Sequence, residues 1–388
     1  MTTGTDRRAR PLARTPWLRG VAVAAVLVSL ARPAAAQTPQ PPPAPHEMPP
    51  PGQRDYPSLR IAGFGDINFS DTKRVEGPRG FTLGQLALHL TSELSPRVTF
   101  FGELSFSARA DAGTDSPPVT GFNTEVERLI LRFDQSDRLK VSFGRFHTPI
   151  NYWNTAYHHG QWLQTTIQRP EMIQFGGRFL PVHFVGGLVE GSVPAGGWNL
   201  NYKAGVGNGR ASVISRAGDA GDSNDERAWL ANVFVKPDKV FGLEFGGSLY
   251  GDNVTLADAR EFHEKIVAGY VVWNKEDPEL IAEFAGVRHR QSGSTDDEAT
   301  WSRAYYIQAA YRLPQFNRLL KPYYRFEHIG IATGDGMFAT VPRLDNSTVG
   351  LRYDASVFAA IKGEYRTWRR GDGVPRNHGG FFQVCFTF

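Results

Sequence analysis

One cysteine, Cys385, is present in 388 residues, which excludes an intrachain disulfide framework. No apolar run reaches the roughly 20 residues that a membrane-crossing helix needs. Phosphate-cradling motifs are missing too: GFGD at 63–66 and GGRF at 176–179 lack the strand-to-helix setting and read as close-packing glycines of a sheet. With 41% hydrophobic and 21% charged residues, the chain is not of the disordered class.

Net charge is also scarce once the N-terminus is set aside. Arg7, Arg8, Arg10, Arg14 and Arg19 precede an apolar stretch from Gly20 to Ala31 and the small residues of Arg32-Pro33-Ala34-Ala35-Ala36. That order is a basic region, a hydrophobic region and a cleavage site, so residues 1–36 read as a secretory signal peptide. Taking its six Arg and one Asp from 43 basic and 39 acidic residues leaves 37 and 38. A mature chain so balanced carries no basic face for nucleic acid. With no cysteine at the cleavage point, no lipid attachment is expected. Residues 37–58 are proline-rich, favour polyproline II and form a periplasmic linker.

From 59 to 388 the sequence keeps one style. In LRIAGFGDINFS, Ile61, Gly63, Gly65, Ile67 and Phe69 alternate with Arg60, Ala62, Phe64, Asp66 and Asn68. This period of two marks a strand with different media on its two sides. LGQLALHLTS and VTFFGELSFSAR repeat it, and about sixteen such strands run to the C-terminus. Connections after even strands are short, such as Asn274 to Pro278, and those after odd strands are mostly longer, such as Gly209 to Arg227. The pattern predicts an all-β, transmembrane antiparallel barrel of about 16 strands. Closure is required, because an open edge in lipid leaves backbone groups unpaired. The 26 Phe, 13 Tyr and 8 Trp suit interfacial girdles. On the last strand Phe382, Val384, Phe386 and Phe388 share one face and end on a terminal aromatic, resembling the assembly signal read by the barrel-assembly machinery. The expected address is the outer membrane of a Gram-negative-type bacterium, among its lipid and lipopolysaccharide.

If the apolar set faces lipid, the opposite set faces the lumen. Its basic members are Arg60, Arg109, Arg128, Arg132, Lys140, Lys203, Arg312, Lys321, Arg325, Arg352, Lys362 and Arg366. Its acidic members are Asp66, Glu103, Glu244, Glu283, Glu327 and Glu364. An excess of basic groups in the lumen lowers the barrier for anions.

The segment VSFGRFHTPINYWN, preceded by the turn Asp134 to Arg138, resembles the phosphate-selective porin O and P family, where a strand of the type K-V-G-R-F-K-T-P enters a long loop. The resemblance spans Leu59 to Phe388 in layout. It implies a sixteen-stranded porin, a homotrimer, and passive diffusion of small hydrophilic solutes with anions, phosphate included, preferred. His147 stands where the family motif has lysine, and the dense lysine ladder behind phosphate selectivity is absent.

The long connection after strand 5 stands where the loop of general porins folds into the lumen and narrows it, and that likeness implies a constriction loop here. Tyr152, Trp153, Tyr157 and Trp162 would brace it, while His158, His159, Gln161, Gln164 and Arg169 would meet passing solutes. Histidines at 147, 158 and 159 raise the question of metal, but no carboxylate or cysteine lies at ligand spacing, so no metal or other cofactor is expected. Ser142 and His147 lie five apart on opposite faces of a strand and make no catalytic pair. The expected activity is therefore not enzymatic. A plugged structural or adhesive barrel is the alternative to an open channel.

Overall fold

The computed structural model describes residues 56–73, 79–109, 121–157, 160–174 and 178–388. The stretch read as a signal peptide and most of the expected linker lie outside them, as do His158 and His159. Sixteen strands run in chain order: β1 (Ser58–Lys73), β2 (Gly80–Ser95), β3 (Val98–Arg109), β4 (Gly121–Ser136), β5 (Leu139–His147), β6 (His183–Val193), β7 (Leu200–Asn208) and β8 (Ala228–Val235) form the first half. They are followed by β9 (Leu243–Thr255), β10 (Glu261–Asn274), β11 (Glu279–Gln291), β12 (Thr300–Ala310), β13 (Leu320–Gly330), β14 (Leu344–Ser356), β15 (Ala359–Arg370) and β16 (Asn377–Thr387). Each pairs antiparallel with its neighbours, and β1 pairs with β16, so the sheet closes without an edge. The strand count and the alternation of short turns with long loops match the reading from periodicity.

The outer wall is apolar. Leu131, Phe143, Val233, Val267, Val271, Phe284, Ile307 and Val349 point out with large fractions of their surface bare, which is tolerable only if lipid covers them. At the short-turn end Trp198, Phe241, Phe316, Phe358 and Phe388 are exposed, and toward the long loops so are Phe81, Phe122, Trp229 and Trp301. These are the two girdles.

At the seam, Gly63 and Gly65 leave room for rings of the last strand: a Cβ at Gly63 would lie 2.2 Å from the Phe388 ring, and one at Gly65 2.6 Å from Phe386. The Phe388 N–H donates to the Gly63 carbonyl at 3.0 Å, and the Gly63 N–H to Phe388 O at 2.9 Å. Phe382, Phe386 and Phe388 all lie exposed.

The inner wall departs from the polar lining that alternation suggests. On β10 and β11 the inward positions Ile266, Ala268, Tyr270, Val272, Ile281, Ala285 and Val287 are apolar and buried. What covers them is the loop 148–182 from the same barrel. Its Ile150, Trp153, Met172, Ile173, Phe179 and Leu180 join Leu230, Tyr250, Tyr306, Met337 and Phe338 in one apolar cluster. One side of the barrel is thus filled like a globular core.

Two local irregularities shape the other side. A bulge sets Glu103 opposite Arg128 and Leu104 opposite Val126, leaving Glu127 outside the ladder. At Gly144 φ is 145°, and a Cβ there would lie 1.8 Å from the Leu129 carbonyl oxygen, so only glycine lets β5 press against β4 at that point.

Candidate functional site: a loop-filled lumen with a charged cluster

The loop closes on itself before it meets the wall. The Thr148 N–H donates to Val182 O at 2.9 Å, and Asn154 Nδ2 donates to the carbonyls of both Thr148 and Val182 at 2.9 Å. A single helical turn, α1 (Trp153–Ala156), follows. Trp153, 1% exposed, anchors it.

Wall carboxylates then receive the loop's backbone donors. Glu283 Oε1 accepts the N–H groups of Trp153 at 2.6 Å and Tyr152 at 3.2 Å, Glu364 Oε1 that of Ile167 at 2.6 Å, and Glu327 Oε2 that of Glu171 at 2.8 Å. Thr165 donates its hydroxyl to Glu279 at 2.8 Å. Wall cations take the carbonyls: Arg325 donates to Gln168 O at 2.8 Å and to the Thr166 hydroxyl at 2.9 Å, Arg352 to Trp162 O and Gln164 O at 2.8 Å, and Lys362 to Thr166 O at 3.1 Å. Arg366 meets the Gln168 side chain and Glu364. A loop with no regular ladder of its own has its buried backbone groups satisfied by charged side chains from β11 and β13–β15.

This places many of the charges expected in the lumen. Lys321, Arg325, Arg352, Lys362 and Arg366 are all buried, as are Glu283, Glu327 and Glu364, so they do not form a bare ring facing solute. Lys321 pairs with Glu279 and Glu276, and Arg312 with Glu276 and Asp354 near the short turns. Glu244 accepts from Tyr270 at 2.7 Å and pairs with Lys236. Arg60 is exposed at the start of β1, and Lys140 is half-buried opposite Glu190. The side chain of Arg109 lies outside the described residues.

Of the loop residues, Tyr152 and Tyr157 stack edge to face at 5.8 Å, and Tyr157 also meets Trp153 at 5.9 Å. Trp162 lies 6.0 Å from the Arg352 guanidinium. Gln164 and Arg169 are buried, at 3% and 4% exposure, because Gln164 bonds within the loop and Arg169 stacks on Trp153 and donates to Ile173 O. They hold the loop's shape. Gln161, in contrast, borders open space.

That space lies along β1–β7. A cavity of about 800 Å³ toward the long loops is lined by Asp66, Gln85, Ser105, Glu125, Glu127, Arg145, Arg178, His183, Arg216 and Asp219. A second, of about 350 Å³ toward the short turns, is lined by Thr99, Phe101, Arg128, Arg132, Ser142, His147, Glu190 and Lys203. Between them in strand order sits Glu103, fully buried, which binds His89 at 2.8 Å, Arg128 at 2.5 Å and His147 at 3.4 Å. These four residues make a charged cluster centred on the buried Glu103.

Periodicity overlooks Glu125 and Glu127. Strict alternation from Arg128 and Arg132 sends both outward, and only the bulge turns them in. Arg145 escapes it for a similar reason next to Gly144; it donates to the Glu127 carbonyl at 2.5 Å and to Asp219 at 2.7 Å. A glycine in a strand bounded by charges is the one available signal.

No protein-family model matches the chain, and no curated protein matches it by sequence. Solved structures do. The anion-selective porin from Comamonas acidovorans aligns with a TM-score of 0.61 at 13% identity, covering 86% of this chain and 100% of that one. The outer membrane channel DcaP of Acinetobacter baumannii aligns at 0.55 with 11% identity over 86% and 97% of the two chains. OmpF of Salmonella typhi, in a complex with daunomycin, gives 0.55 and 11% over 85% and 97%. At these identities the likeness is one of fold, that of outer-membrane porin barrels. With the apolar belt and the two aromatic girdles, that closed barrel is an outer-membrane protein of a Gram-negative-type bacterium.

Proposed function

We propose that this barrel is a porin that lets small hydrophilic solutes cross the outer membrane by diffusion, along β1–β7 and past the folded-in loop. The observation that carries it is the pair of cavities, both bearing charged side chains, that lie on either side of the Glu103 cluster. In this reading the work is selection by width and charge.

The lower cavity holds Arg128, Arg132 and Lys203, each paired with a carboxylate, Glu103, Asp134 and Glu190 respectively. Of these carboxylates only Glu190 borders the space itself, which leaves a slight lean toward anions on the periplasmic side. The upper one mixes Arg145, Arg178 and Arg216 with Asp66, Glu125, Glu127 and Asp219. Selectivity for anions is therefore modest in this reading, and a specific phosphate site has little support because the cations on β13–β15 serve the loop. The homotrimer belongs to the same proposal and rests on the family resemblance.

The test is planar-bilayer recording of the refolded protein under a KCl gradient, repeated with phosphate. Discrete conductance steps with an anion-leaning reversal potential are expected. Absence of conductance would favour the plugged barrel, and a cation-selective reversal potential would overturn the charge reading.

A further inference from the structure

The ladder between β5 and β6 ends on the pair His147 and His183, whose ring centroids lie 5.5 Å apart. Beside them stands Glu127, turned inward by the bulge in β4. One donor atom from each of the three lies within 4.8 Å of the other two. His147 and His183 are the two residues that flank the 148–182 loop, so this trio sits at the loop's root.

We propose that Glu127, His147 and His183 bind a divalent transition-metal ion of the zinc type, which ties the two stems of the loop to β4. Two imidazoles and one carboxylate suit Zn²⁺, Co²⁺ or Ni²⁺, whereas Mg²⁺ and Ca²⁺ need more oxygen donors. Zinc bonds of about 2.0–2.2 Å require the three donors to close in, which side-chain rotation at a strand end can provide. Access exists, since Glu127 and His183 line the cavity of about 800 Å³, which also offers water for a fourth position.

The surroundings both help and oppose. Ser105 donates to Glu127 Oε1 at 2.9 Å and orients the carboxylate, while His183 Nε2 already lies 2.9 Å from Glu127 Oε2 and His147 Nε2 3.4 Å from Glu103. Arg145 Nη1 stands 3.5 Å from Glu127 Oε2 but also bonds Asp219, and Arg169 acts on Glu127 and Glu103 from the loop. Both arginines oppose an added cation, and the buried negative charges of Glu103 and Glu127 offset them. Affinity weaker than that of a structural zinc site follows.

The experiment uses the full mature chain folded in detergent, stripped of metal with a chelator. Zn²⁺ is titrated by calorimetry and Co²⁺ by its visible absorption, with Mg²⁺ as the control ion. One Zn²⁺ per chain is expected, with at least a tenfold loss in His147→Gln, His183→Gln and Glu127→Gln and no loss in His263→Gln on β10. X-ray absorption of the zinc-loaded wild type, expected to show two imidazoles, keeps the test sharp if a variant fails to fold. No binding, equal affinity in all variants, or a spectrum without imidazole overturns the proposal. Binding is read without any current, so it stands or falls apart from the porin reading.

Discussion

Glu283 on β11 and Trp153 in α1 are 130 residues apart, yet the carboxylate accepts the indole residue's backbone N–H at 2.6 Å inside the barrel. The bond joins the loop's first turn to the wall opposite its root. Replacing Glu283 by Ala leaves the Trp153 and Tyr152 donors without this acceptor, at a cost of about 1–3 kcal/mol. A lower thermal midpoint and noisier, larger single-channel currents are expected in Glu283→Ala. Unaltered melting and current would show that the loop is held without it.

Removing Asn154 to Gln168 takes away the segment that Glu364, Arg325 and Arg352 hold. Conductance should then rise, by about twofold or more if the channel widens toward the barrel's own diameter. If bilayer recordings show an unchanged step size, the loop lies off the solute path.

Arg132 and Lys203 border the lower cavity. The double change Arg132→Ala with Lys203→Ala should move the reversal potential toward the cation side while leaving step size within about a factor of two. The shift should shrink as salt rises, because screening shortens to about 3 Å at 1 M.

Asp335 lies in the connection from β13 to β14. Burial pushes its carboxyl up, but the hydrogen bond and charge of His289, the Ser302 hydroxyl and the Phe338 N–H outweigh it and hold the group below the usual carboxylate range. A depressed folded value stabilises the docked loop above the ordinary carboxylate pKa and loses that contribution as pH falls through the folded value. Amide exchange at Phe338 should therefore speed up under acid conditions, and Asp335→Asn should abolish that pH dependence.

Crowding the seam should impair closure. Gly63→Leu drives a side chain into the Phe388 ring, whereas Gly380→Ala, with open space around it, should be tolerated. Heat-modifiable migration on gels reads the folded fraction. Equal folding of the two variants would show that the Gly63 face is free to adjust. Shortening the chain after Cys385 tests the terminal aromatic as an assembly signal, with loss of insertion expected.

The barrel was legible because every strand repeats one local rule: a side chain in lipid next to a side chain that is not. Leu129, Leu131 and Phe133 announce the outward face of β4 without any partner in view. The residues facing in were harder to read. Glu127 follows Val126 and precedes Arg128, and nothing in that order reveals the bulge, which arises where β3 and β4 slip by one residue to pair. His147 was visible as a departure from a family motif; that it would meet His183, 36 positions later, was not.

Sequence by itself thus determined the strand number, the closed all-β architecture and the place where a long loop had to be accommodated, since these follow from period and spacing along the chain. Tertiary structure alone decided what the lumen contains. Arg325, Arg352 and Lys362 carry the same charge whether they face a solute or a carbonyl, and only the docking of the loop on that wall assigns them to the carbonyls. The physical reason is that burying a loop leaves backbone groups without water, and the nearest charged side chains must satisfy them before any remain for transport.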